Sequence, residues 1–230
     1  MVLEYSYQMN ELAERIIKEG KVFDGGMIRV DRFLNHQVDI DLLKKASQVF
    51  ATHFTEMMPT KVITVEASGI IPAVYTADFL NIPLVFAKKV APETNTENRH
   101  SSIVYSFTKN QDSRISIAKY LIDPEDRLLI IDDFLARGST LKGLLEIAKS
   151  ANATVVGTGI VISKLFQGAA ELIHDPLLNT FSLITVEGMV KGKFTMNTSD
   201  GLRYECKISE DGSLLLETSS GISQDLISNG

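Results

Sequence analysis

Short aliphatic runs alternate along this chain with stretches in which apolar residues recur every three or four positions. Leu128-Leu129-Ile130-Ile131 is the pattern of a strand buried on both faces, as in a central parallel sheet. Lys61–Glu66, Pro83–Lys88 and Thr154–Ile162 also read as strands. Leu12, Ala13, Ile16 and Ile17 form one helical stripe within Glu11–Glu19, which Gly20 stops. Leu42, Leu43, Ala46, Val49, Phe50 and Phe54 form a second, with Asp39 and Asp41 capping or charging its start. A third helix begins near Pro72, and a fourth spans Ser139–Ser150 with Leu141, Leu144, Leu145 and Ala148 on one face. Strands and helices in alternation predict an α/β fold, a Rossmann-like parallel sheet flanked by helices.

Three stretches break this rhythm. Val22–Gln37, with Gly25-Gly26 inside it, is too irregular for either periodic element and reads as a surface loop. Val90–Ser102 is long, polar and aperiodic, the profile of a lid or binding loop. Ile103–Phe107 and Arg114–Tyr120 follow it as an antiparallel pair around Asn110-Gln111-Asp112. Beyond Glu187, Ser199-Asp200-Gly201 and Glu210-Asp211-Gly212 are hairpin turn signals, and Leu202, Tyr204, Cys206 and Ile208 alternate with polar residues. The expected division is a main domain over 1–193 and a C-terminal extension over 194–230, built of short β-hairpins and frayed from Thr218 onward.

The chemistry concentrates where the central strand ends on Asp132-Asp133, before a loop containing Gly138 and a helix start. A helix start offers unpaired N–H groups and the positive end of the dipole, so it stabilises an anion. Arg137, Ser139 and Thr140 can add side-chain donors, and the two carboxylates can accept hydrogen bonds from a sugar's vicinal hydroxyls. Together these imply a ribose phosphate. The run is neither a Walker loop nor a Gly-x-Gly-x-x-Gly fingerprint. An acidic pair after a strand, taken alone, also fits a purely structural role.

Ala67-Ser68-Gly69 repeats the strand, small-residue loop, helix order, so a second anion, such as a diphosphate, can meet main-chain amides there. That loop alone fits an ordinary βα turn equally well. Lys88-Lys89 ends the next strand, where its cations can face diphosphate oxygens or solvent. Lys164 ends another, on the edge where open α/β sheets bind ligands.

The composition narrows the classes. With 230 residues and 44% hydrophobic content the chain can bury a full α/β core. A formal charge of -6 argues against a general nucleic-acid or membrane-surface binder. One cysteine, Cys206, excludes a disulfide framework, and the four histidines are isolated from one another, so no metal site of the protein's own is expected. The chain shows no secretory pattern and no apolar run near the ~20 residues that span a bilayer, which fits a cytoplasmic protein.

The aliphatic strand, acid pair and small-residue loop resemble the phosphoribosyl-diphosphate signature of type I phosphoribosyltransferases. Further segments narrow the likeness: Val30–Gln37, Thr64–Ala73, Val104–Lys109, Ile130–Ala136 and Gly159–Gln167. In that order they resemble the bacterial xanthine phosphoribosyltransferases, over Leu12 to about Lys193. The resemblance implies a parallel sheet with a hood, and a homodimeric, cytoplasmic purine-salvage enzyme. Its reaction converts xanthine and Mg²⁺-bound phosphoribosyl diphosphate to xanthosine monophosphate and diphosphate. Carried onto this chain, Ile28, Asn35 and Lys164 would contact xanthine. Asp132 and Asp133 would hold the donor's ribose, Ala136, Arg137, Gly138, Ser139 and Thr140 its 5-phosphate, and Ala67, Ser68, Gly69 and Lys88 its diphosphate.

The loop departs from the family's usual Ala-Asn-Gly-Gln-Ala in reading Ala-Arg-Gly-Ser-Thr, and the extension exceeds the usual length. Hypoxanthine/guanine relatives carry a carboxylate where Ala136 stands, so no general base is assigned. Alternatives are the same reaction on guanine or hypoxanthine, a non-catalytic regulator that senses the donor, or an adaptor with a relic site. Such regulators add a basic DNA-binding domain ahead of this fold, whereas only a short helix precedes the body here.

Overall fold

Local chemistry sets the ends of most elements in the computed structural model, which describes residues 2–90, 97–106, 111–218 and 221–222. Helix α1 (Val2–Glu19) is longer than its apolar stripe implied and ends where the Gly20 N–H donates to the Ile16 carbonyl at 2.9 Å. Helix α2 (Ile40–Phe54) starts at Asp39, whose carboxylate accepts the Leu42 N–H at 3.1 Å. Between them lies the first correction. Val22–Gln37 is not a loop: β1 (Lys21–Phe23) and β2 (Met27–Arg29) pair antiparallel, and Asp31–Asn35 forms one wide helical turn. Val22, Ile28, Val30, Phe33 and Leu34 are buried, but three-residue strands are too short to display a period in the sequence.

Next come β3 (Lys61–Val65), α3 (Ile70–Leu80), β4 (Leu84–Val90), β5 (Arg99–Ser106) and β6 (Gln111–Ala118). Arg99–Ser102, expected in the lid loop, is strand because Arg99 to Ser106 pair in register with Ala118 to Gln111. Residues 91–96 of that expected lid, and 107–110 between the paired strands, lie outside the described residues. Strand β7 (Arg127–Leu135) does not end on the acids but continues past them to Leu135. It carries them within its ladder to β8 (Thr154–Lys164), with Asp132 opposite Ile160. Helix α4 (Ser139–Ser150) joins those two strands, as its stripe predicted. The chain closes with α5 (Ala170–Ile173), β9 (Thr180–Val190), β10 (Lys193–Thr198), β11 (Arg203–Ile208), β12 (Leu214–Thr218) and β13 (Gly221–Ile222). Of the end expected to fray from Thr218 onward, Thr218 and Gly221–Ile222 are strand, and 219–220 and 223–230 lie outside the described residues.

Among the described residues eleven strands form one mixed sheet, ordered β13-β12-β11-β10-β9-β8-β7-β3-β4-β6-β5. Its centre, β9-β8-β7-β3-β4, is parallel, as the aliphatic runs required. Both flanks are antiparallel, and on the β10 side Lys191 (φ 52°) and Gly192 (φ 78°) turn the chain from β9 into β10. The extension therefore lengthens the main sheet and shares its core, where Phe194, Met196 and Cys206 are fully buried. Burial pushes the Cys206 thiol up to about 12, which leaves it unreactive.

Strand β7 shows why a buried central strand needs apolar residues at every position. Leu129 and Ile131 pack with α1, α2 and the β1–β2 hairpin, while Leu128 and Ile130 pack with α4 on the opposite face. Each such side chain stabilises the fold by roughly 1.5–3 kcal/mol. From β3 the chain goes first to β4 on one side, and β7 later returns on the other. The crevice above the carboxyl ends of β3 and β7 is thus a topological switch point.

Candidate functional site

Three strand ends meet at that crevice, and each delivers one group of the residues singled out by sequence. β7 delivers the acids and the loop Ala136–Gly138. Gly138 occupies the position before α4 with φ 76°, a left-handed conformation that glycine adopts without strain, and its backbone carbonyl accepts the Lys142 N–H at 2.9 Å. A Cβ there would stand 2.0 Å from Leu172 Cδ1. The Ser139 hydroxyl donates to the Tyr105 carbonyl at 3.0 Å, which ties β5 to the start of α4. Thr140 is half-buried and Arg137 lies exposed on the rim.

β3 delivers the second loop. Ala67 is exposed, Ser68 half-buried and Gly69 buried, and the Glu66–Ala67 peptide is cis. A Cβ on Gly69 would lie 2.6 Å from both Asp132 Oδ1 and Thr64 Oγ1, so the two loops are in direct apposition. Thr64 is fully buried, and its hydroxyl finds no partner among the described residues. Glu66 turns outward to accept the Lys89 N–H at 2.6 Å.

The acids differ in setting. Asp132 is buried and Asp133 half-buried, and the Asp133 N–H donates to Asp132 Oδ1 at 3.0 Å. Burial, reinforced by the charge of Asp133, pushes the Asp132 carboxyl well above the usual carboxylate range, and Lys89 partly offsets this. Lys89 was legible only as half of a dibasic pair. The structure distinguishes it from Lys88, which is also exposed, because it is the charge of Lys89 that is felt at Asp132.

β8 delivers Lys164, which is 9% exposed. Its ammonium donates to the Gly26 carbonyl at 3.2 Å and sits 5.0 Å from the Phe134 ring centroid. Burial pushes its pKa down, while Asp133 opposes that shift, so lysine and acid are electrostatic neighbours. Gln167 reinforces the contact by donating to the Gly25 carbonyl at 3.1 Å. The β1–β2 hairpin is thereby drawn over the strand ends as a hood. Ile28 is buried two residues beyond Gly26. Asn35 is half-buried at the end of the helical turn with an unpartnered Oδ1, and no hydrogen bond joins it to Lys164 among the described residues. Phe134 and Gln167 went unremarked as site residues; their only sequence signal was adjacency to Asp133 and Lys164.

Comparison with known proteins decides what this crevice belongs to. The sequence model of the phosphoribosyl transferase domain matches residues 30–180. The chain belongs to the phosphoribosyltransferase family. A xanthine phosphoribosyltransferase of Streptococcus gordonii is 47% identical over 192 residues, 84% of this chain and 100% of that protein. The enzymes of that name from Streptococcus pneumoniae and Streptococcus equi subsp. zooepidemicus are 45% and 46% identical over the same shares. Among solved structures, adenine phosphoribosyltransferase from Thermoanaerobacter pseudethanolicus superposes with a TM-score of 0.63 at 17% identity, covering 77% of this chain and 99% of that one. The Giardia lamblia enzyme, complexed with 9-deazaadenine, gives 0.64 at 18%, covering 77% and 98%. These two establish the type I fold. This phosphoribosyltransferase is accordingly an enzyme of the glycosyltransferase type.

Phosphoribosyltransferases generally use Mg²⁺ with their donor. The chemistry of this crevice suits a divalent cation: two adjacent carboxylates, one buried, are hard oxygen ligands whose mutual repulsion a cation relieves. Among the described residues no cluster of three or more His, Cys, Asp or Glu side chains could hold a metal ion. None of their helices is long and apolar enough to cross a membrane.

Proposed function

We propose that the protein transfers the phosphoribosyl group of 5-phosphoribosyl 1-diphosphate to xanthine in cytoplasmic purine salvage. The observation that carries this reading is the convergence of Asp133 and Lys164 on one edge, a sugar-binding acid beside a buried ammonium, under a hood. The similarity of up to 47% to xanthine phosphoribosyltransferases supports the choice of base.

Each group of residues has a defined task. The amides of Ala136–Thr140 and the start of α4 bind the 5-phosphate, the dipole contributing about 0.3–1 kcal/mol. Asp132 and Asp133 accept hydrogen bonds from the ribose hydroxyls and would share the Mg²⁺ that accompanies the donor. That ion, when bound, neutralises charge on the departing diphosphate. Ala67, Ser68 and Gly69 present amides to the same diphosphate, with Lys88 and Lys89 at its rim. These donors stabilise the transition state because negative charge grows on the leaving group as its bond to the ribose breaks. Lys164 suits an exocyclic purine oxygen, being a compact, rotatable set of donors. Ile28 and Asn35 complete the base subsite, Asn35 Oδ1 accepting from a purine N–H.

Ala136 leaves no carboxylate in the loop to act as base, so the bound purine supplies its own ionisation. A pH–rate profile should then show a limb that follows the free base. Two copies pair as a homodimer, testable by sedimentation.

The decisive experiment mixes the protein with Mg²⁺, donor and each of xanthine, guanine, hypoxanthine and adenine. Nucleotide and diphosphate should form in equal amounts, with kcat/KM highest for xanthine. A higher value for guanine or hypoxanthine would reassign the base, and no turnover with any would refute the reading.

A further inference from the structure

Only 192 of the 230 residues align with the complete Streptococcus gordonii relative, and the family match ends at residue 180. The β10–β13 extension lies beyond that match, yet it touches the part of the site that is least self-supporting. Its turn Ser209–Ser213 grips the outer edge of β1. The Val22 N–H donates to the Gly212 carbonyl at 2.8 Å, and Lys21 pairs antiparallel with Ser213. The Lys21 ammonium donates to Ser213 Oγ at 2.8 Å and to Asp211. Asp211 in turn orders its own loop, accepting from Ser209 Oγ at 2.6 Å and from the Ser213 N–H at 3.2 Å.

The fit is close. Gly212 is buried with φ 83°, and a Cβ there would meet the Val22 carbonyl oxygen at 2.5 Å. At its other end the hood is held by Lys164 and Gln167 through the Gly25 and Gly26 carbonyls. Between hood, extension and phosphate loop lies a cleft of about 700 Å³, bordered by Phe23, Phe166, Met189, Ile208, Glu210 and Arg137. The hood tip borders this open space at Gly25, while Gly26 packs against Phe166 and Gln167. The root of the hood is packed in the core through Val22 and Ile28, and its tip and outer edge are held by two lines of hydrogen bonds, one from β8 and one from the extension.

We infer that the Ser209–Ser213 turn is a clamp that sets the hood over the acceptor-base subsite, making Asp211, Gly212 and Ser213 positioning residues for purine recognition. This rests on the reading of Lys164 as the base contact. A hood displaced at β1 moves the Gly26 carbonyl, and with it the resting place of the Lys164 ammonium. The donor subsite, built on β3 and β7, is untouched. Loss of one or two such hydrogen bonds, each worth about 0.7–1 kcal/mol net, corresponds to a roughly 3- to 30-fold change in base affinity.

The test measures KM for xanthine and for donor separately in the full-length parent, Gly212→Val, Lys21→Met and Lys21→Arg. The clamp requires the xanthine KM to rise in Gly212→Val and Lys21→Met by about 3- to 30-fold. It also requires the donor KM and kcat to stay within about twofold of the parent, and Lys21→Arg to restore most of the effect. Lys21→Met leaves the backbone intact and carries the test if Gly212→Val fails to fold. Equal rises in both KM values, or a lowered thermal midpoint with unchanged xanthine KM, overturn the clamp. A parent that turns over none of the purines overturns the functional reading instead.

Discussion

The phosphate loop and the hood face the same crevice but are held in place by different means. Between Asp132 and Thr140 the shape comes mainly from neighbours in sequence: the Asp133 N–H bonds to Asp132, Gly138 accepts from Lys142, and α4 follows at once, with the Ser139–Tyr105 bond as a remote tie. The hood depends on remote partners, Lys164 being 138 residues from Gly26 and Asp211 190 residues from Lys21. A locally built loop forms whenever its strand and helix form, whereas a hood assembled from distant contacts moves with any of them. On the proposed reading this makes donor recognition the robust half of the site and base recognition the adjustable half.

The largest effect expected is on the local half. Asp132→Asn together with Asp133→Asn should weaken donor binding by about 100-fold or more, since two charge-assisted hydrogen bonds are each worth about 1.5–3 kcal/mol. Calorimetry with Mg²⁺ and donor checks this, and unchanged affinity would remove the basis for the ribose phosphate site. Asp132→Asn alone carries a second signature. Its carboxyl is raised in the folded state, so its contribution to stability is full below the ordinary value of 3.8 and is lost as pH rises through the raised one. Without ligand, the variant should therefore melt higher than the parent at about pH 8, with the gap closing towards about pH 4.

The distant half is sharpened by Lys164→Gln, which should raise the xanthine KM roughly tenfold and leave donor affinity unchanged. Because burial lowers the pKa of Lys164, its charge is lost at lower pH than that of an exposed lysine. The parent's kcat/KM for xanthine should have an alkaline limb from this loss, and the variant should lack it. Equal damage to both substrates would dissolve the distinction between the halves.

The smallest effect is a control outside both. Asp39→Ala removes the α2 cap and the 2.7 Å pair with Arg15, costing about 1 kcal/mol and lowering the thermal midpoint by about 2–4 °C with kinetics unchanged. The Leu42 N–H, then Arg15, hold the Asp39 carboxyl below its ordinary value of 3.8. Its stabilisation is present above 3.8 and is lost as pH falls through the lowered value, so parent and variant should converge in acid.

Legibility in the sequence followed the same division. The α2 cap, the α4 stripe and the aliphatic β7 and β8 are signals within one element, and each appears at or within a few residues of the expected place. The acids were recognised, though not that β7 continues through them, because a ladder to β8 cannot be seen from β7 alone. The hood was mistaken for a loop because its strands are three residues long and their burial depends on α1, α2 and the extension. Lys89, Phe134 and Gln167 carried no pattern; register and side-chain direction bring them to the site.

By itself, the order of residues determined an α/β core with two small-residue βα junctions, since alternating apolar period, helix caps and a glycine before a helix act over a few residues. Tertiary structure alone decided that β3 and β7 stand side by side, so that Gly69 abuts Asp132, and that β8 brings Lys164 beneath the hood. It also decided that the extension joins the main sheet and reaches back to β1. Those relations depend on strand order and on contacts between residues far apart in the chain, and no local pattern encodes which remote partner a strand edge or a buried ammonium will meet.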